Sequence, residues 1–294
     1  MFELTAYLEH KRRLIDNALE MHLPPEEARP GALHKAMRYS VFSGGKRIRP
    51  ILCLAAAEAV GGKEENALMP AIALEAIHTY TLIHDDLPAM DDDDLRRGRP
   101  TSHIVFGEAA AILAGDALLT LAFEWLAESQ APAPFLPYQY ALEAAEAAGS
   151  RGIIAGQIED LTAQGRQPEE DLLEYIHLHK TASLIRAAVR VGGISGSASS
   201  EQLDALSLYG CNVGLAFQIA DDILNETSTP EELGKPTGSD RAKNKLTYVA
   251  LLGVEGARDR ARSLIDQAVD ALSKTKALND PLEQIARFTI ERSH

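Results

Sequence analysis

An all-α fold is predicted from three observations. Apolar residues recur at spacings of three and four, as at Leu203, Leu206, Tyr209, Val213 and Phe217, which is the period of one face of a helix. No run of alternating β-branched residues bounded by turn residues is found, so a sheet is not expected. Gly- and Pro-bearing breaks recur at 23–25, 44–45, 61–62, 88, 98–100, 131–137, 149–152, 165–168, 192–200 and 229–238. They cut the chain into about ten to twelve helices of ordinary length. None of the breaks is a long low-complexity linker, and no short period repeats. The expectation is one helical domain over residues 1–294.

Composition narrows the function. Hydrophobic residues make up 46% of the chain, which excludes disorder. No stretch reads as a run of about 20 apolar residues, so stable membrane insertion is not expected. The opening MFELTAYLEHKRRLIDNALE is amphipathic and charged throughout, and reads as a first helix and not a signal peptide. Cys53 and Cys211 stand in apolar helical contexts with no CxxC, and are expected to be reduced, which suits the cytoplasm. The net charge of −14 argues against nucleic acid or an anionic membrane as partner. Local basic clusters stand out against that background.

The helical stretch ALMPAIALEAIHTYTLIH is almost uncharged and leads directly into HDDLPAMDDDDLRRGRP, residues 84–100. Pro88 supplies no amide donor and disfavours helix at Leu87. A continued helix would place Asp91 about 240° around from Asp85. A helix end folded over at Pro88 brings both carboxylates to one point, with Asp86 beside them. Clustered carboxylates repel one another and any anionic substrate unless hard cations neutralise them. Mg²⁺ takes one or two carboxylates, several waters and phosphate oxygens. A Ca²⁺ EF-hand loop does not fit, because its fifth position falls on Leu95 and the glycine at the sixth is missing. The motif therefore suggests a magnesium bridge to a phosphorylated ligand.

A second acidic motif reads FQIADDILN, residues 217–225. On a helix Gln218, Asp221, Asp222 and Asn225 share one face, and their apolar flanks point that face inward. An isolated buried acid pair would be costly, whereas two such clusters facing one cavity filled with Mg²⁺ would not be. Four basic runs accompany the two motifs. GGKRIRP supplies Lys46, Arg47 and Arg49 after a glycine pair that lets backbone approach a ligand. Arg96 and Arg97 follow the first motif. HLHKTASLIR supplies Lys180, Thr181 and Arg186, and GKPTGSDRAKNK supplies Lys235, Arg241, Lys243 and Lys245. His78 lies seven residues before Asp85, about 20° around a helix, and points the same way two turns deeper.

GGKRIRP, IHDDLPAMDDDDLRRGRP, GQIEDL, HKTASLIRAAV, FQIADDILN and GKPTGSD, in this order from about residue 30 to 290, closely resemble the trans-prenyl diphosphate synthases. The likeness is strongest to bacterial farnesyl diphosphate synthases, whose first motif carries the same two extra residues; bacterial and plastid geranylgeranyl synthases share that insertion. The resemblance implies an antiparallel helix bundle around a deep central cavity, a homodimer, and Mg²⁺ as cofactor, three ions per site with Mn²⁺ able to substitute. It implies Asp85, Asp86, Asp91 and Asp221 as metal residues. Lys46, Arg49, His78 and Arg97 resemble the cradle for isopentenyl diphosphate. Arg96, Lys180 and Lys235 resemble donors to the allylic diphosphate, with Lys245 at the periphery. Thr181 and Gln218 resemble the residues whose oxygens face the allylic cation. The second motif departs from the family pattern at Asn225, which offers a neutral oxygen where a carboxylate is usual.

The reaction so implied is head-to-tail condensation of isopentenyl diphosphate with dimethylallyl or geranyl diphosphate. Tyr80, five residues before Asp85, stands where farnesyl synthases of this type carry an aromatic floor, so the expected main product is C15. A C20 product remains open on the same motifs. A terpene cyclase would share the first motif, but it needs no isopentenyl cradle, and its second-motif pattern fails at Asn225 and Thr229. A non-catalytic helical subunit would be expected to have lost a motif, and only the final carboxylate of the second is missing.

Overall fold

The computed structural model describes residues 2–165, 169–227, 245–273 and 280–291. Thirteen α-helices are present among them: α1 Leu4–His22, α2 Gly31–Val41, α3 Ile48–Ala59, α4 Glu64–Asp85, α5 Ser102–Phe106, α6 Glu108–Glu128, α7 Gln139–Ala148, α8 Ile153–Ala163, α9 Glu170–His177, α10 Ser183–Ser195, α11 Ser200–Thr227, α12 Tyr248–Ser273 and α13 Asp280–Glu291. The all-α expectation holds, with the count slightly above the range read from the breaks. The extra piece is the five-residue α5, which no sequence period of that length can reveal.

Burial follows the pattern of side chains. Helix α4 is buried on nearly every side, from Ala67 to Ile83, as its lack of charge requires. Helix α3 is the same, with Pro50 to Ala57 and Ala59 inside. One hydrophobic cluster runs from Ile15 and Leu19 of α1 through α3, α4 and α10 to Leu282 and Ile285 of α13. Fully burying a Leu or Ile contributes about 1.5–3 kcal/mol. The amphipathic helices α9 and α13 lie at the edge of this core and keep one face in water. Helix α6 packs on α4 and α2 through Ala111, Ala114, Leu118 and Ala122. By length and composition it is the one described helix that could cross a membrane, with 39% of its apolar window buried in the bundle. Glu108, Asp116 and Glu124 interrupt its apolar run.

Two local departures from plain helix matter for the site. Leu95–Arg96 and Arg99–Pro100 pair as a two-residue antiparallel ribbon, a strand element too short for alternation to announce. Its turn residues Arg97 and Gly98 both have positive φ, 54° and 72°, the type I′ pattern that matches strand twist. The second is a π-helical turn over Leu178–Ala182, between α9 and α10. Single π turns insert one residue into a helix and often mark functional positions.

Candidate active site

The first acidic motif forms where α4 ends. Asp85 is the last helical residue, and the chain then doubles back. The Asp91 amide donates to the Asp85 carbonyl at 2.9 Å, that of Asp92 to Leu87 at 3.1 Å and that of Asp93 to Asp86 at 3.3 Å. The fold-over expected at Pro88 is present, and it brings Asp91 back to Asp85. Two carboxylates thus sit at the negative end of a 22-residue helix, where the macrodipole disfavours them. Burial raises the Asp85 carboxyl to about 6; the Lys180 charge opposes that rise, and Asp91 adds to it. Hard oxygen donors gathered against their own repulsion fit Mg²⁺, which would be held by Asp85 and Asp91 from this motif.

Asp86 is otherwise engaged. It is 4% exposed and accepts from Arg96 Nε at 2.8 and 2.9 Å and from Arg96 Nη2 at 2.5 Å. Burial lifts its carboxyl, and the Arg96 guanidinium opposes that lift. Arg96, expected as a donor to substrate, is therefore first the partner of a buried acid, and Asp86 is engaged by it.

The glycine–arginine run between α2 and α3 splits by role. Arg47 takes a left-handed conformation with φ 53° at the start of α3 and turns inward. It donates to Asp16 at 2.8 Å, Glu75 at 2.8 Å and the Val41 carbonyl at 2.7 Å, with only 4% of its side chain exposed. Two residues on, Arg49 reaches across to α4 and donates from Nη1 to His78 Nε2 at 3.2 Å. Burial lowers the Arg49 guanidinium to about 10, and its buried Nε has no hydrogen-bond partner among the described residues. Burial and the Arg49 charge together hold His78 well below 6.5, hence neutral and accepting. Arg97 joins them from the ribbon turn and donates to the Gly44 carbonyl. Gly45 is required there because its φ of 123° strains any side-chain-bearing residue. Lys46 is exposed, with its ammonium 6.0 Å from the Phe288 ring centroid. The four residues expected to cradle one diphosphate thus fall at one end of α3 and α4.

The opposite wall comes from α8, the π turn and α11. Lys180 Nζ donates to Asp160 Oδ2 at 2.6 Å. Gly156 makes this possible, because a Cβ there would collide with the Lys180 backbone nitrogen. Thr181 donates from Oγ1 to Gln218 Oε1 at 2.9 Å, and Gln218 Nε2 donates to Asp222 Oδ1 at 3.1 Å. Asp221 is half-buried, and its charge acts on Arg49 across the site. Asn225 is 5% exposed on the same helix.

Lys245 joins the two sides of the site. Placed at the periphery by sequence, it pairs with Asp91 at 2.9 Å and lies 4.0 Å from Asp160, joining the first acidic motif to the Lys180 wall. A cavity of about 70 Å³ opens here, lined by Asp160, His177, Lys180, Gln218, Asp222 and Lys245. A smaller one of about 30 Å³ borders Asp86, Arg96 and Arg97. Asp160 and His177 are residues the sequence reading did not single out. The GQIEDL motif carried the signal for Asp160, since Asp160 follows Gln157 by one helical turn. Lys235, with Arg241 and Lys243, lies outside the described residues. Tyr80 is 6% exposed, with its ring edge-on to His84 at 5.7 Å.

The family model for polyprenyl synthetase matches residues 30–285. Geranylgeranyl pyrophosphate synthase 12, chloroplastic, of Arabidopsis thaliana is 48% identical over 92% of this chain and 76% of its own length. A crystal structure of a putative farnesyl-diphosphate synthase from Marinomonas sp. MED121 superposes with a TM-score of 0.82 at 40% identity, covering 99% of this chain and 100% of that one. That of geranylgeranyl pyrophosphate synthetase from Pyrococcus horikoshii Ot3 gives 0.88 at 33%, covering 98% of each. The likeness is thus not specific to bacterial farnesyl synthases, because curated relatives at the highest identities reported carry geranylgeranyl names.

Proposed function

This chain belongs to the polyprenyl synthetase family, and on that premise we propose that it joins isopentenyl diphosphate head to tail to an allylic diphosphate and stops mainly at C15. The observation that carries the reaction is the convergence of two acidic motifs with Arg49, His78, Arg97, Lys180 and Lys245 on one end of the bundle. An acidic protein that concentrates cations there is suited to two diphosphates.

Arg49, with its orphaned Nε, and Arg97 are placed to hold the isopentenyl diphosphate, while neutral His78 accepts from Arg49 and fixes its direction. Lys180 is placed for the allylic diphosphate, its ammonium oriented by Asp160, and Lys245 is placed beside it. Divalent magnesium, bound by Asp85, Asp91 and Asp221, would supply Lewis-acid charge neutralisation for the departing diphosphate. Preorganised donors of this kind are typically worth about 3–4 kcal/mol each in the transition state. The oxygens of Thr181 and Gln218 offer negative dipoles to the allylic cation. The isopentenyl double bond attacks that cation, and the proton lost from C2 passes to the released diphosphate. An apolar cavity around the allylic chain would exclude water, which otherwise captures the cation.

Tyr80 supports the C15 product. Its ring is buried one turn before His84 and within electrostatic reach of Asp85, and it would act as a floor for a chain that grows along α4 and curves to that side of the helix. Extra carbons forced against a packed ring cost about 1–3 kcal/mol. The second reading is a C20 product, which the geranylgeranyl names of the relatives back better than C15. The test is product length with excess isopentenyl diphosphate. A C15 wild type and a Tyr80→Ala variant that runs on to C20 support Tyr80 as the floor, whereas a C20 wild type establishes the second reading. The proposal includes a second copy of the chain as partner, supported by exposed Ile104, Val105, Ile112 and Leu113 on α5 and α6. It also includes a cytoplasmic setting, supported by the free thiols of Cys53 and Cys211.

A further inference from the structure

We propose that Asp222, the second carboxylate of the FQIADD motif, is a positioning residue that fixes the polarity of the Gln218 amide. The assignment rests on the elongation reaction inferred above. Asp222 is 3% exposed. Its Oδ1 accepts from Gln218 Nε2 at 3.1 Å and its Oδ2 from the Tyr248 amide at 2.9 Å, the first residue of α12. His177 Nε2 stands 3.5 Å from Oδ2, with its ring stacked on Tyr248 at 5.5 Å. Both oxygens are thus turned into protein, unlike the neighbouring Asp221, which is partly exposed.

The consequence for Gln218 follows from hydrogen-bond chemistry. An ionised carboxylate only accepts, so the Gln218 NH₂ must face Asp222, and its carbonyl oxygen must face the other way. There it accepts from Thr181 Oγ1 at 2.9 Å. With the amide reversed, its N–H groups would point toward Thr181 and meet a developing cation with the wrong end of the dipole. Asp222 therefore decides which end of Gln218 is presented. The amide of Tyr248 ties the same carboxylate to the start of α12, which keeps it from turning away.

Asp222→Asn separates this role from a structural one. The new side chain can still accept the Tyr248 N–H through its oxygen, which leaves its NH₂ facing Gln218 and forces that amide to reverse. The expected result is a kcat about 10- to 100-fold lower, the range seen when an orienting partner is removed, with KM for both diphosphates within about twofold. In a Gln218→Leu background the same substitution should cost less than about threefold further, since Asp222 then has nothing to orient. Equal losses in the two backgrounds, a loss confined to KM, or an unchanged kcat would overturn the proposal. The Gln218 side-chain amide in the substrate-free wild type gives a measurement that needs no variant. Slow hydrogen exchange at Nε2 supports the pair with Asp222, and exchange as fast as in an exposed glutamine refutes it. This amide readout is decided even if the wild type fails to elongate a prenyl chain, an outcome that would sink the functional reading alone.

Discussion

Replacing Arg96 by Ala should destabilise the protein before it says anything about substrate. The guanidinium makes three contacts of 2.5–2.9 Å to Asp86, whose side chain is 5% exposed. Removing it leaves a buried carboxylate without its cation, a change that costs about 3–5 kcal/mol when both partners are buried. Arg96 itself is about one-third exposed, and water can reach part of the vacated space, so the lower end, about 3 kcal/mol, applies. For a chain of this size a loss of 1 kcal/mol lowers Tm by about 2 °C. Thermal scans at pH 7.5 should therefore show a drop of about 6 °C for Arg96→Ala. Arg96→Lys should recover only part of it, because an ammonium cannot match the two-pronged contact. The deficit should shrink when Asp86 is also changed to Asn, since the stranded charge is then gone. If Arg96→Ala melts with the wild type, or if the Asp86→Asn background leaves the deficit unchanged, then the pair is not what holds this turn.

Arg47→Ala should cost more stability than Arg96→Ala, about 3–5 kcal/mol, because Arg47 and Glu75 are both almost wholly buried; urea titration checks it. A folded fraction of that variant should keep wild-type KM values, since Arg47 faces Asp16 and Glu75 and not the site. His78, held below 6.5 in the folded protein by burial and Arg49, contributes stability above pH 6.5 that is lost as pH falls below it, because the unfolded chain then binds the proton more readily. Unfolding free energies between pH 5 and 8 should therefore fall less steeply toward acid in His78→Gln than in the wild type; parallel curves would refute the assignment.

Much of this arrangement is legible in the residues. The three-to-four period marks the helices, and Pro88 with its neighbouring acids predicts the fold-over that returns Asp91 to Asp85. The direction of His78 is also readable, although its partner proves to be Arg49 on another helix. What sequence hides is mostly backbone irregularity and long-range pairing. Arg47 and Arg49 look alike in GGKRIRP, but a left-handed residue at the start of α3 sends the first inward and leaves the second for the site. The π turn that sets Lys180 and Thr181 has no periodic signature over five residues. Arg97 depends on a two-residue ribbon, and Lys245 on a pairing with Asp91 across 154 positions of sequence. Asp221 and Asp222 are adjacent acids of one motif, yet one carboxylate is partly exposed and the other is held by Gln218 and Tyr248.

The central claim is that two diphosphates meet at this end of the bundle and that one displaces diphosphate from the other. The most direct measurement is incubation of the purified chain with isopentenyl and dimethylallyl diphosphates, with Mg²⁺ or with a chelator, following prenyl product and released diphosphate together. One diphosphate released for each isopentenyl unit incorporated, only with both substrates and divalent metal present, is the predicted result. Release of diphosphate without carbon–carbon bond formation, or undiminished elongation in chelator, would contradict the account.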